Sequence, residues 1–490
     1  MSATDLVGAS GKQYEIVVGL EVHCELATET KLFCGCANHF GSLPNTNICP
    51  VCMGLPGSLP VLNERAVEYA MRIGLALNCT VNPSIFHRKN YFYPDQTKDY
   101  QISQYDEPIN SNGFLELPDG SSVGIERAHM EEDTGKSTHI GGGGRIQGAD
   151  YSLVDYNRAG VPLVEIVSRP DITSADQARA YVLELRGVLV ASGASDGRME
   201  EGSLRVDANV SVREVGSTTL GTRCEVKNLN SLRSLGRAID YEARRQVALV
   251  DGGEKVVQET RHWNEHEGRT SSMRSKEEAN DYRYFPEPDL VPLVPSPELV
   301  ESVRAALGVL PAERRRRLAQ LATDGAVPTE PIATVVELGL DALVLEAHAD
   351  GADFRLALTR AANEAAAEPE AAAALDAHSF ASLIKLESAG SLTATQAKAV
   401  LAEMLSHGGE PAEIAKSLGY EALATGAIDE VLDGIIAEHQ SEWDRFLAGD
   451  EKVTQFFLGQ VMRATQGRAN GKVVAEALSA RKSRQSGNSN

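Results

Sequence analysis

Seven cysteines occur in the chain, and four of them fall within residues 34 to 52. Cys34-Gly35-Cys36 is followed, after twelve residues, by Cys49-Pro50-Val51-Cys52. Two thiolate pairs on separate turns, joined by a loop of this length, can close a tetrahedral S₄ site around zinc. Gly54 gives the second turn the freedom to wrap an ion. With all four positions taken by sulfur, the ion would be structural, because no coordination site is left for a substrate. A thioredoxin-like redox pair and buried thiols are the rival readings, but no βαβ pattern surrounds the CxxC.

A second chemistry is written in acids. In "YEIVVGLEVHCEL", Tyr14, Ile16, Val18, Leu20 and Val22 share one strand face, and Glu21 and His23 project side by side from the other. Cys24 falls on the apolar face as a buried thiol. "IERAHMEEDTGKS" concentrates His129, Glu131, Glu132 and Asp133 at the end of another strand. Glu131 and Glu132 are adjacent and point to opposite faces, so alternation alone leaves open which of them reaches a shared site. "LRVDANVSVRE" and "TRCEVKNLNS", joined by "VGSTTLG", read as a hairpin. Leu204, Val206, Ala208, Val210 and Val212 line its apolar side; Asp207 and Asn209, with Glu225 and Lys227 in a symmetric register, line its polar side. Carboxylates at this density repel one another unless a hard cation neutralises them, and Mg²⁺ bridging carboxylates and phosphates fits. A wet sheet face is the alternative.

After Lys227 the chain runs through "NLNS" into an amphipathic helix carrying Leu232, Leu235, Ile239 and Ala243 on one stripe. A strand, a polar turn and a helix N-terminus in succession form an anion site, with Lys227, Asn228, Asn230 and Ser231 placed to hold a phosphate. Asn230 or Ser231 also serves as the helix cap. "GKST" at 135–138 imitates a P-loop, but Met130 stands where that motif requires glycine. The run Gly141–Gly144 reads as a loop.

These segments have to be carried by something larger than a single module. At 490 residues the chain is long enough for about three domains. Hydrophobic residues at 42% and charged residues at 24% are globular values. No apolar run approaches the ~20 residues a bilayer demands, and the N-terminus lacks a signal-peptide core, so a cytoplasmic protein without a membrane segment is expected. The net charge of −22 excludes a broadly RNA-coated surface and confines nucleic-acid contacts to local basic patches. The fold class is α+β. Residues 1–292 form a mixed-sheet domain, "FPEPDLVPLVPSPE" breaks regular structure, residues 293–407 form an all-α domain, and residues 408–490, after Gly408-Gly409, form a helical tail.

Taken in order, "VGLEVHCEL", "CGC…CPVCMGLPGSLPVLN", "KNYFYPDQTKDYQISQYDEPI", "RAHMEEDTGKS", "DYNRAGVPLVEIVSRPD", "MEEGSLRVDANVSVR", "CEVKNLNSL" and "MRSKEEANDYRYFPEPDL" resemble the signature blocks of the B subunit of bacterial aspartyl/glutamyl-tRNA amidotransferase. The likeness spans the chain, with its dense motifs in residues 14 to 292. It implies a cradle-shaped catalytic domain, a helical domain and a tRNA-contacting helical tail.

It also implies a reaction shared among subunits. The side-chain carboxylate of misacylated Glu-tRNA(Gln) or Asp-tRNA(Asn) is phosphorylated by ATP, and ammonia then displaces phosphate. An amidase A subunit releases that ammonia from glutamine, a small C subunit completes the heterotrimer, and the present chain is the kinase and transamidase part. Carried over by motif, Mg²⁺ ligands fall on Glu21, His23, Glu131 and Glu132. Asp207 and Glu225 take a second cation or a transition-state role, Lys227 and Asn228 face phosphate, and Cys34, Cys36, Cys49 and Cys52 hold zinc. The tail supplies Arg463, Arg468, Lys472, Arg481, Lys482 and Arg484, and Arg314–Arg317 form another basic run whose alternative is a solvated helix face. Gly471 departs from the proline common in the family's tail motif.

Two other functions fit parts of this pattern: a zinc-stapled tRNA-binding scaffold without catalysis, and a free-standing carboxylate kinase. Unlike the scaffold, the amidotransferase reading requires Glu21, His23, Glu131 and Glu132 to converge in one cavity, and the free-standing kinase would instead turn over ATP with a small-molecule acid and no tRNA.

Overall fold

The computed structural model describes residues 6–487 except 142–147, 200, 276–281, 323–327, 421–424, 451, 466–468 and 470. It divides into two units, Met1–Glu313 and Arg314–Asn490. The strands of the first are β1 (Leu6–Val7), β2 (Gln13–Glu25), β3 (Thr80–Val81), β4 (His87–Asn90), β5 (Tyr100–Ser103), β6 (Asn110–Glu116), β7 (Ser122–Glu132), β8 (Lys136–Ile140), β9 (Tyr151–Asp155), β10 (Pro162–Ser168), β11 (Leu204–Glu214), β12 (Cys224–Lys227), β13 (Glu259–Asn264), β14 (Arg269–Ser275) and β15 (Phe285–Pro286). Its helices include α1 (Glu64–Ala76), α2 (Ala175–Ala191), α3 (Leu232–Asp251) and α4 (Pro297–Ala305).

Thirteen of these strands build one mixed sheet, ordered β14-β13-β12-β11-β2-β10-β7-β5-β4-β15 along its main path. Within it β12 and β13 run parallel, and β2 pairs antiparallel with both β10 and β11. Period-2 alternation sorts the central strands cleanly. Val18, Leu20, Val22 and Cys24 of β2, Ala128 and Met130 of β7, Val164 and Ile166 of β10, and Val206, Ala208 and Val210 of β11 all enter one buried core. Met71 and Ile73 of α1, Leu185 of α2 and Leu235 and Ile239 of α3 cover that face. The remaining residues of the same strands point to the opposite face, where the acids lie. Unequal faces follow from the sequence pattern, and burial of the apolar one fixes the register that aligns the polar one.

The hairpin expected from residue 204 onward is present, with Asn209 paired to Glu225 and Ala208 to Val226. The proline-rich segment does not end the first unit. It contributes the edge strand β15, where missing donors are tolerated, and then α4, whose Val303 joins the sheet-domain core. The unit therefore runs to Glu313, some twenty residues past the expected boundary at 292.

The second unit is helical among the described residues and holds two cores. The expected break at Gly408-Gly409 is a turn inside the first of these, because the next helix, Pro411–Ser417, buries Ala415 in that core. A separate core of Ile428, Leu432, Trp443, Phe457, Val461 and Leu478 follows. Of the basic run, Arg314 forms an ion pair with Asp341.

α1 is keyed to the sheet by Asn110, whose buried amide donates to the carbonyls of Ala70 in α1 (2.9 Å) and Ala128 in β7 (3.0 Å). Gly74 makes room for it, since a Cβ there would collide with the Asn110 side chain. Helix propensity alone favours Gly74→Ala by ~1 kcal/mol, but overpacking costs ~1–3 kcal/mol. The expected outcome is net destabilisation of the sheet domain in denaturant unfolding.

Candidate functional site

The polar face of the sheet presents its charges in rows set by strand register. Arg205, His23, Glu165 and His129 lie side by side on β11, β2, β10 and β7. The next row holds Asp207 and Glu21, directly paired, and Lys227 reaches Asp207 at 2.7 Å and Glu225 at 3.4 Å. Asn209 donates to Glu21 at 2.9 Å. Adjacent strands place facing Cβ atoms ~4.5–5.5 Å apart, so the repulsion between acids in these rows must be met by nearby cations.

At the centre, His23 Nε2 lies 3.4 Å from Glu131 and 4.0 Å from Glu165, and His129 Nε2 lies 3.4 Å from Glu165. One ligand atom from each of His23, Glu131 and Glu165 falls within 4.8 Å of the other two, a spacing a single cation can span. Burial by itself would lower the His23 pKa, but its hydrogen bond and charge contact with Glu131, reinforced by Glu165 and Asp207, raise it to about 9. Burial would raise the Glu165 pKa, yet His129, His23 and Lys89 hold it well below the usual carboxylate range. Lys89 is likewise held charged against its burial by Glu131 and Glu165. In the absence of a metal, therefore, imidazolium and ammonium groups supply the positive charge these carboxylates require. An oxygen-rich pocket with one imidazole fits a hard divalent cation, with carboxylate oxygens as its main donors.

The four cysteines cluster in the loop between β2 and α1, with all four Sγ atoms within 4.8 Å of one another. Cys49 and Cys52 Sγ are 3.9 Å apart, close to the ~3.8 Å edge of a tetrahedron with Zn–S bonds of ~2.3 Å. A hydrogen bond from Cys34, with Lys31 adding, draws the Cys52 pKa down to about 5, and the same bond together with burial drives Cys34 upward. Such a thiolate-bearing cluster can hold a metal ion and is compatible with structural zinc.

Residues 16–301 match the family model described as the GatB/GatE catalytic domain, and residues 355–481 match that of the GatB domain. The chain belongs to the GatB family. Proteins named as the B subunit of aspartyl/glutamyl-tRNA(Asn/Gln) amidotransferase are 49% identical in Nocardia farcinica, over 95% of each chain, and 45% identical in a Thermoanaerobacter species, over 95% of this chain and 98% of the relative. One from Thermosynechococcus vestitus is 46% identical over 96% and 97%.

Measured against the family's motif pattern, the structure brings together some of the expected residues and separates others. His23 and Glu131 meet; Glu21 stands one row along with Asn209, Asp207 and the Lys227 network. Glu132 does not join them. Strand alternation turns it to the other side of β7, where it pairs with Lys98 and accepts from the backbone N–H of Ile102 at 3.0 Å. At the expected phosphate turn, Ser231 caps α3 through the Ser234 N–H, and Asn228, at φ 70°, donates to the Trp263 carbonyl. Asn230 donates to Asn228. Glu165, absent from the expected ligand set, has a signal in the sequence as the lone acid of the central strand "PLVEIVS". In the tail, Arg481 is paired with Asp433 (2.7 Å) and Asp429 (2.8 Å), and Lys482 lies over the Phe446 ring. Arg463 is exposed, Arg468 lies outside the described residues, and the side chains of Lys472 and Arg484 do as well.

Two outcomes are expected. A folded-state His23 pKa raised from 6.5 to about 9 gives stability that is complete below ~6.5 and lost as pH rises through about 9. Thermal unfolding without added divalent cations should therefore show the wild type losing its advantage over His23→Gln across that window, and parallel curves would contradict the assignment. Elemental analysis should find one zinc per chain, lost in Cys36→Ser together with a lowered melting temperature.

Proposed function

We propose that this chain is the kinase and transamidase component of a tRNA-dependent amidotransferase. It phosphorylates the side-chain carboxylate of misacylated Glu-tRNA(Gln) or Asp-tRNA(Asn) with ATP, and ammonia supplied by a glutaminase A subunit then replaces the phosphate. A small C subunit completes the assembly in the cytoplasm, and exposed tail residues such as Arg463 contact the tRNA. The observation that carries this reading is the convergence of His23, Glu131 and Glu165 on the polar face of a sheet domain that matches the family's catalytic domain.

The chemistry explains the arrangement. A carboxylate is a poor acyl donor because its leaving group would be oxide, and an acyl phosphate supplies a better one. Mg²⁺, held by Glu131, Glu165 and neutral His23, would withdraw charge from the transferring phosphoryl group. Glu21, Asp207 and Glu225 would serve a second cation or orient the first through Asn209 and Lys227. A cleft of about 390 Å³ adjoins Glu21 and is lined by Gly19, Asn209, Ser211, Thr222 and Arg223. It offers room and a cation for phosphates beside the acids. Zinc in the cysteine loop would be structural.

Reconstitution with A and C subunits tests the reading. Glu131→Gln and Glu165→Gln are each expected to lower ATP-dependent amidation of the misacylated tRNA ~10²-fold or more, with glutamine hydrolysis and tRNA binding retained. Amidation at the wild-type rate by either variant would refute the role.

A further inference from the structure

The cysteine loop and the acid cluster belong to separate parts of the sheet domain, yet a short chain of contacts joins them. The hydroxyl of Thr97 donates to the Cys52 carbonyl at 2.7 Å. Next to it, Lys98 lies flush against the second cysteine turn: Gly54, at φ 66°, packs so closely that a Cβ would strike the Lys98 stem. The Lys98 ammonium then pairs with Glu132, with only 10% and 3% of the two side chains exposed. Glu132 is held further by the Ile102 N–H (3.0 Å) and, through its own carbonyl, by the Gln101 side-chain amide (2.7 Å). On the far side of the same strand end, the neighbouring Glu131 contacts His23 at 3.4 Å. A cavity of only about 70 Å³, bounded by Cys34, Cys52, Lys98, Glu132 and Gly160, separates loop and strand.

We propose that Lys98 is a positioning residue that couples the cysteine loop to the end of β7, so that a metal ion in the loop tightens divalent-cation binding at His23, Glu131 and Glu165. The physical basis is rigidity. A metal fixes the turn carrying Cys52 and Gly54, that turn fixes Thr97 and Lys98, and the buried ion pair fixes Glu132. Because Glu131 and Glu132 share a peptide unit, anchoring one carboxylate below the sheet restricts the rotation by which the other leaves the site above it. Glu132 acts here through the backbone and not as a ligand. A buried pair of this kind contributes little as net stability but leaves an uncompensated charge when one partner is removed, so its loss is felt at the strand end. Outer partners of metal ligands are typically worth 10–100-fold in metal affinity.

The inference rests on the reading of His23, Glu131 and Glu165 as a divalent-cation site, and Mn²⁺ titration of the full chain followed by electron paramagnetic resonance tests both. Lys98→Met is expected to weaken Mn²⁺ binding ~10-fold or more while retaining one zinc per chain. Stripping zinc from the wild type should weaken Mn²⁺ binding by a similar factor, and stripping it from Lys98→Met should add little, since the coupling is already lost. Unchanged Mn²⁺ affinity in Lys98→Met, or zinc removal that weakens both chains equally, would overturn the coupling. Thr97→Val, which removes only the hydroxyl on the Cys52 carbonyl, serves if Lys98→Met does not fold: weakened Mn²⁺ binding supports the path and wild-type affinity overturns it. Glu131→Gln separates the two readings. If it leaves Mn²⁺ binding intact, the cation site itself is misassigned; if it abolishes binding while Lys98→Met binds Mn²⁺ as tightly as the wild type, only the coupling fails.

Discussion

Like charge on one face of a sheet is the constraint from which the rest of this domain follows. β2, β7, β10, β11 and β12 bring Glu21, Glu131, Glu165, Asp207 and Glu225 onto a common surface at strand spacing. Carboxylates at that density, buried or half-buried, are costly unless each has a counter-charge or a hydrogen-bond donor. The protein meets the requirement from within, with His23, His129, Lys89 and Lys227 standing among the acids. A divalent cation can replace this internal compensation with a single concentrated charge, and a surface balanced in that way has a built-in affinity for one.

Holding such a face open to chemistry requires that the other face be closed. The apolar residues of the central strands are buried under α1, α2 and α3 in one core, and the cooperativity of that core keeps the strand register that aligns the acids. Asn110, Gly74 and the Ile102 N–H are small parts of the same device: each fixes β7, whose last two residues are the pair of glutamates. The cysteine loop anchors the same strand end from outside the sheet.

Family membership rests on matches along nearly the whole chain and on motifs that recur in order. The geometry adds what motifs alone do not contain. It places Glu165 in the central group, sends Glu132 to the opposite side of β7, and pairs Arg481 and Arg314 with acids of their own helical unit.

Alternation in β2 and β11 was readable because a strand's side-chain period is two and depends on the local chain alone. The polar face of the hairpin followed from the same period, although the observed register, with Asn209 opposite Glu225, is displaced from symmetry about the turn, and the cysteine cluster followed from spacing within one loop. Capping of α3 by Ser231 was equally local. Which acids meet was not readable, because it depends on pairing between strands more than a hundred residues apart, as His23 with Glu165, and on contacts between strands such as Glu165 with His129. The end of the sheet unit at Glu313 was hidden for a similar reason: α4 belongs to it by packing its Val303 into a core built elsewhere, not by any mark in its own sequence. Local periodicity determined which side of each strand is polar, and only the tertiary register decided which polar residues share a site.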